Sequence, residues 1–143
     1  MGTVTLKRLI EKMELTNLTP EIDVETIKIQ QPDINRPALQ LAGYLEHFET
    51  CRVQIIGFVE YTYMESLSEE VRKERYAHVI CEGTPCFVFC RELVPDSLFL
   101  DMAREKGVPV LSTKKATSAF EAEIIRWLNV KLAPCISVHG VLV

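Results

Sequence analysis

The sequence predicts an α/β fold, a mostly parallel sheet flanked by helices, and two observations carry that prediction. From Val53 onward, short β-branched or uncharged runs alternate with longer amphipathic stretches, in the order strand, helix, strand, helix, strand, helix, strand. Such alternation is what crossover-connected parallel strands leave in a sequence. The 143 residues are also 48% apolar and 25% charged, the balance of an ordinary domain with a core of its own. The net charge of −4, with no dense Lys/Arg run, argues against nucleic acid and against an anionic membrane surface as partners. The apolar runs fall far short of a membrane-spanning helix.

Residues 5–15 place Leu6, Leu9, Ile10, Met13 and Leu15 near helical spacing, with charges between them. The run from Thr16 to Pro20 ends that helix. Ile27 and Ile29 flank Lys28 as in a short half-exposed strand. Residues 31–37 read as loop, because Pro32 and Pro37 remove donors and push their predecessors out of the helical region. Residues 39–45 fit either a strand or a short helix opened by Pro37. Residues 53–57 are a buried strand ending in Gly57, and Tyr61, Tyr63, Met64 and Leu67 lead into the next helix. Ser68, followed by Glu69 and Glu70, caps that helix, which runs to about Val79.

Residues 82–85 form a turn, and Cys86 to Cys90 a central strand buried on both faces. Pro95 and Asp96 open a helix that Lys106 and Gly107 close. Val108 to Leu111 is a strand with Pro109 near its start. Ser118 and Glu121 have capping-box spacing and open the last helix, which continues through Leu132. The apolar run 137–143 has strand composition yet stops without a turn or polar tail, and this predicts a chain that is the front part of a larger protein.

No Gly-x-x-x-x-Gly-Lys-Ser/Thr, Gly-x-Gly-x-x-Gly, His-Glu-x-x-His or Gly-x-Ser-x-Gly occurs, so these residues hold no recognisable catalytic centre. Five cysteines and no signal segment predict reduced thiols and a cytoplasmic protein. His78, Cys81, Cys86 and Cys90 lack the spacing of paired metal knuckles and read as structural thiols, with no metal site. The loop 112–118 is the candidate small-molecule site. Thr113, Lys114, Lys115, Thr117 and Ser118 are weak anion-site candidates, since hydroxyls, lysines and a helix N-terminus favour negative charge. The plainer alternative is a solvated loop with Ser118 as cap. His139 is either a hydrogen-bonded strand residue or a catalyst. Arg36, Tyr61 and Tyr63 are polar groups near apolar segments, suited to packing or to an interface.

Residues 35–44, Phe48, residues 52–57, Glu60, residues 84–88, residues 107–113 and residues 131–134 recur in one known pattern, which closes on Val138-His139-Gly140-Val141-Leu142-Val143. In these segments the chain resembles the N-terminal domain of bacterial HPr kinase/phosphorylase, with Ala38 where that family commonly has glycine. The resemblance implies a bifunctional enzyme that phosphorylates HPr on serine with ATP and Mg2+ and removes the phosphate by phosphorolysis, in carbon catabolite regulation. It implies a homohexamer. It also maps the family's active-site histidine onto His139, in the intact protein only, and a fold resembling the N-terminal domain of the Mur ligases. The division expected is 1–133 for a non-catalytic N-terminal domain and 134–143 for a linker and first strand of a kinase domain. On that reading the 143 residues alone are inactive. The alternatives are a module sensing an anionic metabolite and an oligomerisation domain.

Overall fold

The computed structural model describes residues 2–133. The expected strand at 137–143, with His139, lies outside the described residues. The elements in chain order are β1 (Val4–Thr5), α1 (Leu6–Met13), β2 (Thr16–Asn17), β3 (Lys28–Ile29), β4 (Ile34–Asn35), α2 (Ala38–Leu41), β5 (Val53–Ile56), α3 (Phe58–Ser66), α4 (Glu69–Val79), β6 (Phe87–Phe89), α5 (Ser97–Lys106), β7 (Val110–Ser112) and α6 (Thr117–Lys131). The main sheet has the order β2-β7-β6-β5-β4, and β1 and β3 form a separate antiparallel pair. Strands β4, β5, β6 and β7 are mutually parallel, and only β2 runs against its neighbour. The α/β fold with a mostly parallel sheet is therefore the one the sequence predicts.

Side-chain alternation along the strands sorts the core into two layers. Val53, Ile55, Cys86, Val88, Cys90 and Leu111 face one side, where Leu6, Leu9 and Met13 of α1 and Phe120, Ile124 and Leu128 of α6 cover them. Ile56, Phe87, Phe89 and Val110 face the other, under Leu41, Met64, Tyr76, Val79, Phe99 and Ala103 from α2 to α5. Phe99 is the hub of the second layer. Its ring meets Tyr76, Phe87 and Phe89 edge-on at centroid distances of 5.0–5.2 Å, the geometry aromatic quadrupoles favour.

Local chemistry sets the helix ends. Ser68 caps α4 through Val71 N–H at 3.3 Å, and Asp96 caps α5 through Phe99 N–H at 2.8 Å. Gly107 closes α5 at φ 72°, a backbone conformation glycine adopts without a steric penalty. Four details depart from the sequence expectation. Residues 58–66 form a helix of their own, α3. Thr16–Asn17 pairs with β7, and Ile34–Asn35 with β5. These two-residue strands are too short to show a period and are specified by their partners. Finally, α6 starts at Thr117 with Ala116 at the N-cap position and no side-chain cap, so Ser118 sits inside the first turn. Packing explains the shift, for Thr117 is buried against Gly57 and Arg36 and fixes where the helix begins.

Candidate functional site

The carboxyl ends of the four parallel strands lie along one edge of the sheet, the edge at which open α/β sheets gather ligands. Each strand delivers residues to that edge: Arg36 follows β4, Gly57 follows β5, Cys90 and Arg91 follow β6, and Thr113 follows β7. Arg36 is the centre of the edge. Its Nε and Nη2 donate to Glu60 Oε2 and Oε1 at 2.9 and 2.8 Å, a bidentate pair, and Nη1 donates to Glu121 Oε2 at 3.2 Å. Glu60 belongs to α3 and Glu121 to α6, so one guanidinium ties the two helical layers together across the end of the sheet. Hydrogen bonds and charge from Glu60 hold Arg36 protonated beyond its ordinary range.

Glu60 is only 2% exposed, and Oε1 also accepts the Gly57 N–H at 2.8 Å. The carboxylate thus occupies the N-terminus of α3 and neutralises Arg36 at the same time. Gly57 is required by close approach. A Cβ there would stand 2.7 Å from Arg36 Nη2 and 2.8 Å from Thr117 Oγ1, distances that no side chain tolerates.

Thr117 is buried, and its hydroxyl has no hydrogen-bond partner among the described residues. The Cys90 thiol lies beside it. Burial pushes that thiol up to about 11, while the neighbouring Thr117 hydroxyl and the Arg36 charge pull the other way. Arg91 and Glu92 both sit in the left-handed region, at φ 60° and 57°. Their turn is pinned to the next loop by Arg91 N–H to Lys115 O and Glu92 N–H to Thr113 O, each 2.9 Å.

Of the residues expected from the sequence, Thr113 is buried, and its hydroxyl accepts the Lys115 N–H at 3.2 Å. Lys114 is exposed, with Nζ 4.0 Å from Glu92. Lys115 pairs with Glu123. A groove of about 270 Å³ runs beside both lysines, with Glu14 and Glu92 in its wall. Thr117 and Ser118 lie beyond it, on α6. A groove of about 530 Å³ lies near the far end of α6 at Gly2, Thr3, Gln30, Gln31 and Pro32 and has no ionisable side chain among these residues. The sequence set Arg36 among groups suited to packing or to an interface and did not mark Glu60 and Glu121 as its partners. The signal was faint: an arginine held extended by the following Pro37, and acids 24 and 85 residues away.

Residues Cys86 and Cys90 are both buried on the α1/α6 side of β6, while the Cys81 thiol donates to the His78 carbonyl at 3.3 Å. No group of three or more His, Cys, Asp or Glu side chains among the described residues is arranged to hold a metal ion. No Gly-rich Lys-Ser/Thr loop occurs in the 143 residues. No described helix is long and apolar enough to cross a membrane.

Curated relatives carry one name. The chain is 51% identical over its whole length to the HPr kinase/phosphorylase of Lachnoclostridium phytofermentans, covering 46% of that protein. It is 39% identical over 98% of its length to that of Clostridium botulinum, covering 45%, and 34% identical over its whole length to that of Caldicellulosiruptor bescii, covering 46%. The chain therefore spans less than half the length of these relatives. The family model described as HPr Serine kinase N terminus matches residues 4–128, from β1 into α6, taking in every strand of the sheet and the Arg36 bridge. On that match the chain belongs to the HPr serine kinase N-terminal domain family.

Proposed function

We propose that this chain is the N-terminal part of an HPr kinase/phosphorylase, a cytoplasmic enzyme that phosphorylates a serine of HPr with ATP and Mg2+ and removes the phosphate by phosphorolysis. The observation that carries the proposal is the family match over residues 4–128 together with relatives of that name. Residues 1–133 form the non-catalytic domain, and 134–143 lead into the kinase domain. His139 is an active-site residue in the intact protein. ATP and Mg2+ are assigned to the whole protein. The 143 residues incubated with ATP, Mg2+ and HPr yield no phosphoserine, whereas the full-length protein does. Phosphoserine formed by residues 1–143 alone would refute this division of labour.

Assembly into a homohexamer belongs to the same proposal. Leu39, Phe58, Val59 and Val94 are large apolar side chains that are each more than half exposed, an arrangement suited to a subunit or domain contact. Sedimentation of the full-length protein tests it, and a monomer at high concentration would exclude the hexamer.

A second reading, recognition of a small anion around 112–118 by Thr113, Lys114, Lys115, Thr117 and Ser118, is favoured by the unsatisfied Thr117 hydroxyl and the uncapped start of α6. Replacing both lysines by alanine tests whether they bind the anion.

A further inference from the structure

We propose that this domain associates head-to-tail with a second copy of itself, the loop 44–49 of one copy seating in the groove between α1 and α6 of the next. The inference rests on the assembly reading above and names one contact within it. It is tested on the 143 residues alone, so that it can fail while the full-length hexamer stands.

The groove, about 250 Å³, is lined by Lys12, Met13, Glu123, Arg126, Trp127 and Val130. Met13 and the half-buried Trp127 belong to the first core layer, and Val130 beside them is 69% exposed. Lys12 and Arg126 are exposed, and neither has a carboxylate within ion-pair distance among the described residues. Arg8, one helical turn before Lys12, is exposed on the same flank of α1. Lys131 adds a further cation over the Trp127 ring, 6.0 Å from its centroid. The one carboxylate in the wall, Glu123, is already engaged by Lys115. The groove is therefore cationic and apolar, on a chain whose net charge is −4.

The loop carries the complement. Tyr44 is 50% and Leu45 38% exposed, and Glu46 and Glu49 are exposed next to them. Among the described residues the nearest cationic group to Glu46 is His47, 3.9 Å away, and Glu49 makes no ion pair. Two apolar side chains flanked by two carboxylates match Trp127 and Val130 flanked by Lys12 and Arg126, and that match of sign fixes the partner and its register. The loop cannot fill the groove of its own chain. Leu41 and Phe48, which bracket its tip, pack in the second core layer, whereas Met13 and Trp127 pack in the first, so the sheet stands between them. A contact that joins two different patches is heterologous, and such contacts build closed rings when the rotation between copies allows.

Sedimentation velocity of the 143-residue chain over rising concentration is expected to show reversible association at low salt that weakens as salt is added. Lys12→Glu combined with Arg126→Glu reverses the groove, and Glu46→Lys combined with Glu49→Lys reverses the loop. All four side chains are exposed, so both double variants keep the fold, which circular dichroism checks. Each is expected to weaken association about tenfold, since like charges then face each other. Mixed in equal amounts, the two variants must regain it, because each reversed patch meets its opposite on the other chain. Val130→Ser should weaken it roughly threefold by removing apolar contact. A chain that stays monomeric at every concentration overturns the proposal. Association indifferent to both reversals, and lost with Leu39→Ser combined with Val59→Ser, would move the contact to α2 and α3 and overturn it as well. Loss in both variants without recovery in the mixture refutes the pairing of this loop with this groove.

Discussion

Arg36 and Glu60 show what a buried ion pair demands of its neighbours. Glu60 is removed from water and balanced by a guanidinium that is itself one third exposed, so the pair's value lies in the cost of breaking it. Arg36→Met is expected to destabilise the chain by about 3 kcal/mol, because the carboxylate stays buried without its partner. Arg36→Met with Glu60→Met should recover part of that loss, since no charge stays buried while the Gly57 N–H loses its acceptor. Urea denaturation of the two variants checks this, and equal losses in both would mean that the bridge itself carries the stability. Sequence pattern alone could not have found this residue. Periodicity reports which face of an element is apolar, and Arg36 acts where the chain leaves β4, where there is no period to read. The anion candidates Lys114 and Lys115 were legible as charges, but their pairing with Glu92 and Glu123 depends on folds of the chain that composition does not encode.

Elements with a strong period or a strong cap were read almost to the residue. Ser68 before α4, Asp96 before α5 and Gly107 after it stand where the sequence put them, because capping is settled within one turn of backbone. The Ser118 cap failed because a tertiary contact, Thr117 beneath Gly57, outweighed a local preference of similar size. Asp96 joins the two kinds of determinant. Its Oδ1 caps Phe99 N–H, and Oδ2 accepts the Tyr76 hydroxyl at 2.7 Å and Arg72 Nη1 at 3.1 Å, so a local cap also fastens α4 to α5. Asp96→Ala is expected to cost about 2–3 kcal/mol, the loss of a cap plus a stranded tyrosine hydroxyl. Asp96→Asn, which keeps an oxygen for the cap and sets an amide donor that the Tyr76 hydroxyl can turn to accept, should cost less. Thermal unfolding of both variants measures the difference, and similar losses would show that the Arg72 charge dominates.

For the molecule as a whole, the buried acids that stay protonated set an alkaline limit. Burial raises the Cys86 and Cys90 thiols and the Tyr76 phenol, Cys90 to about 11. A thiol whose pKa is higher in the folded chain than in the unfolded one contributes its full stability below the unfolded value of 9.0. As pH rises past that point the unfolded chain ionises first, so the denaturant midpoint should fall progressively from pH 9 toward 11. Cys90→Ala should flatten part of the fall, and a midpoint that stays level across that window would contradict the burial of these thiols. Thiol labelling gives an independent reading: the exposed Cys51 reacts in the native chain, whereas Cys86 and Cys90 react only in denaturant.

The sheet's last pairing has a consequence for how the chain is made. Strands β4 to β7 lie side by side in the order of their synthesis, so each can dock on the one before it as it emerges. The border strand β2 is the exception: it is translated early, yet its ladder partner among the described residues is β7, and the Thr19 hydroxyl waits for the Val110 N–H, 91 residues later. Until then β2 has no ladder partner, although α1 can already lie on Val53, Ile55, Cys86 and Val88 of β5 and its neighbour. A nascent chain halted before Val110 therefore leaves β2 unpaired beside that layer, and delivery of β7 is what fastens the end of the leading helix to the sheet.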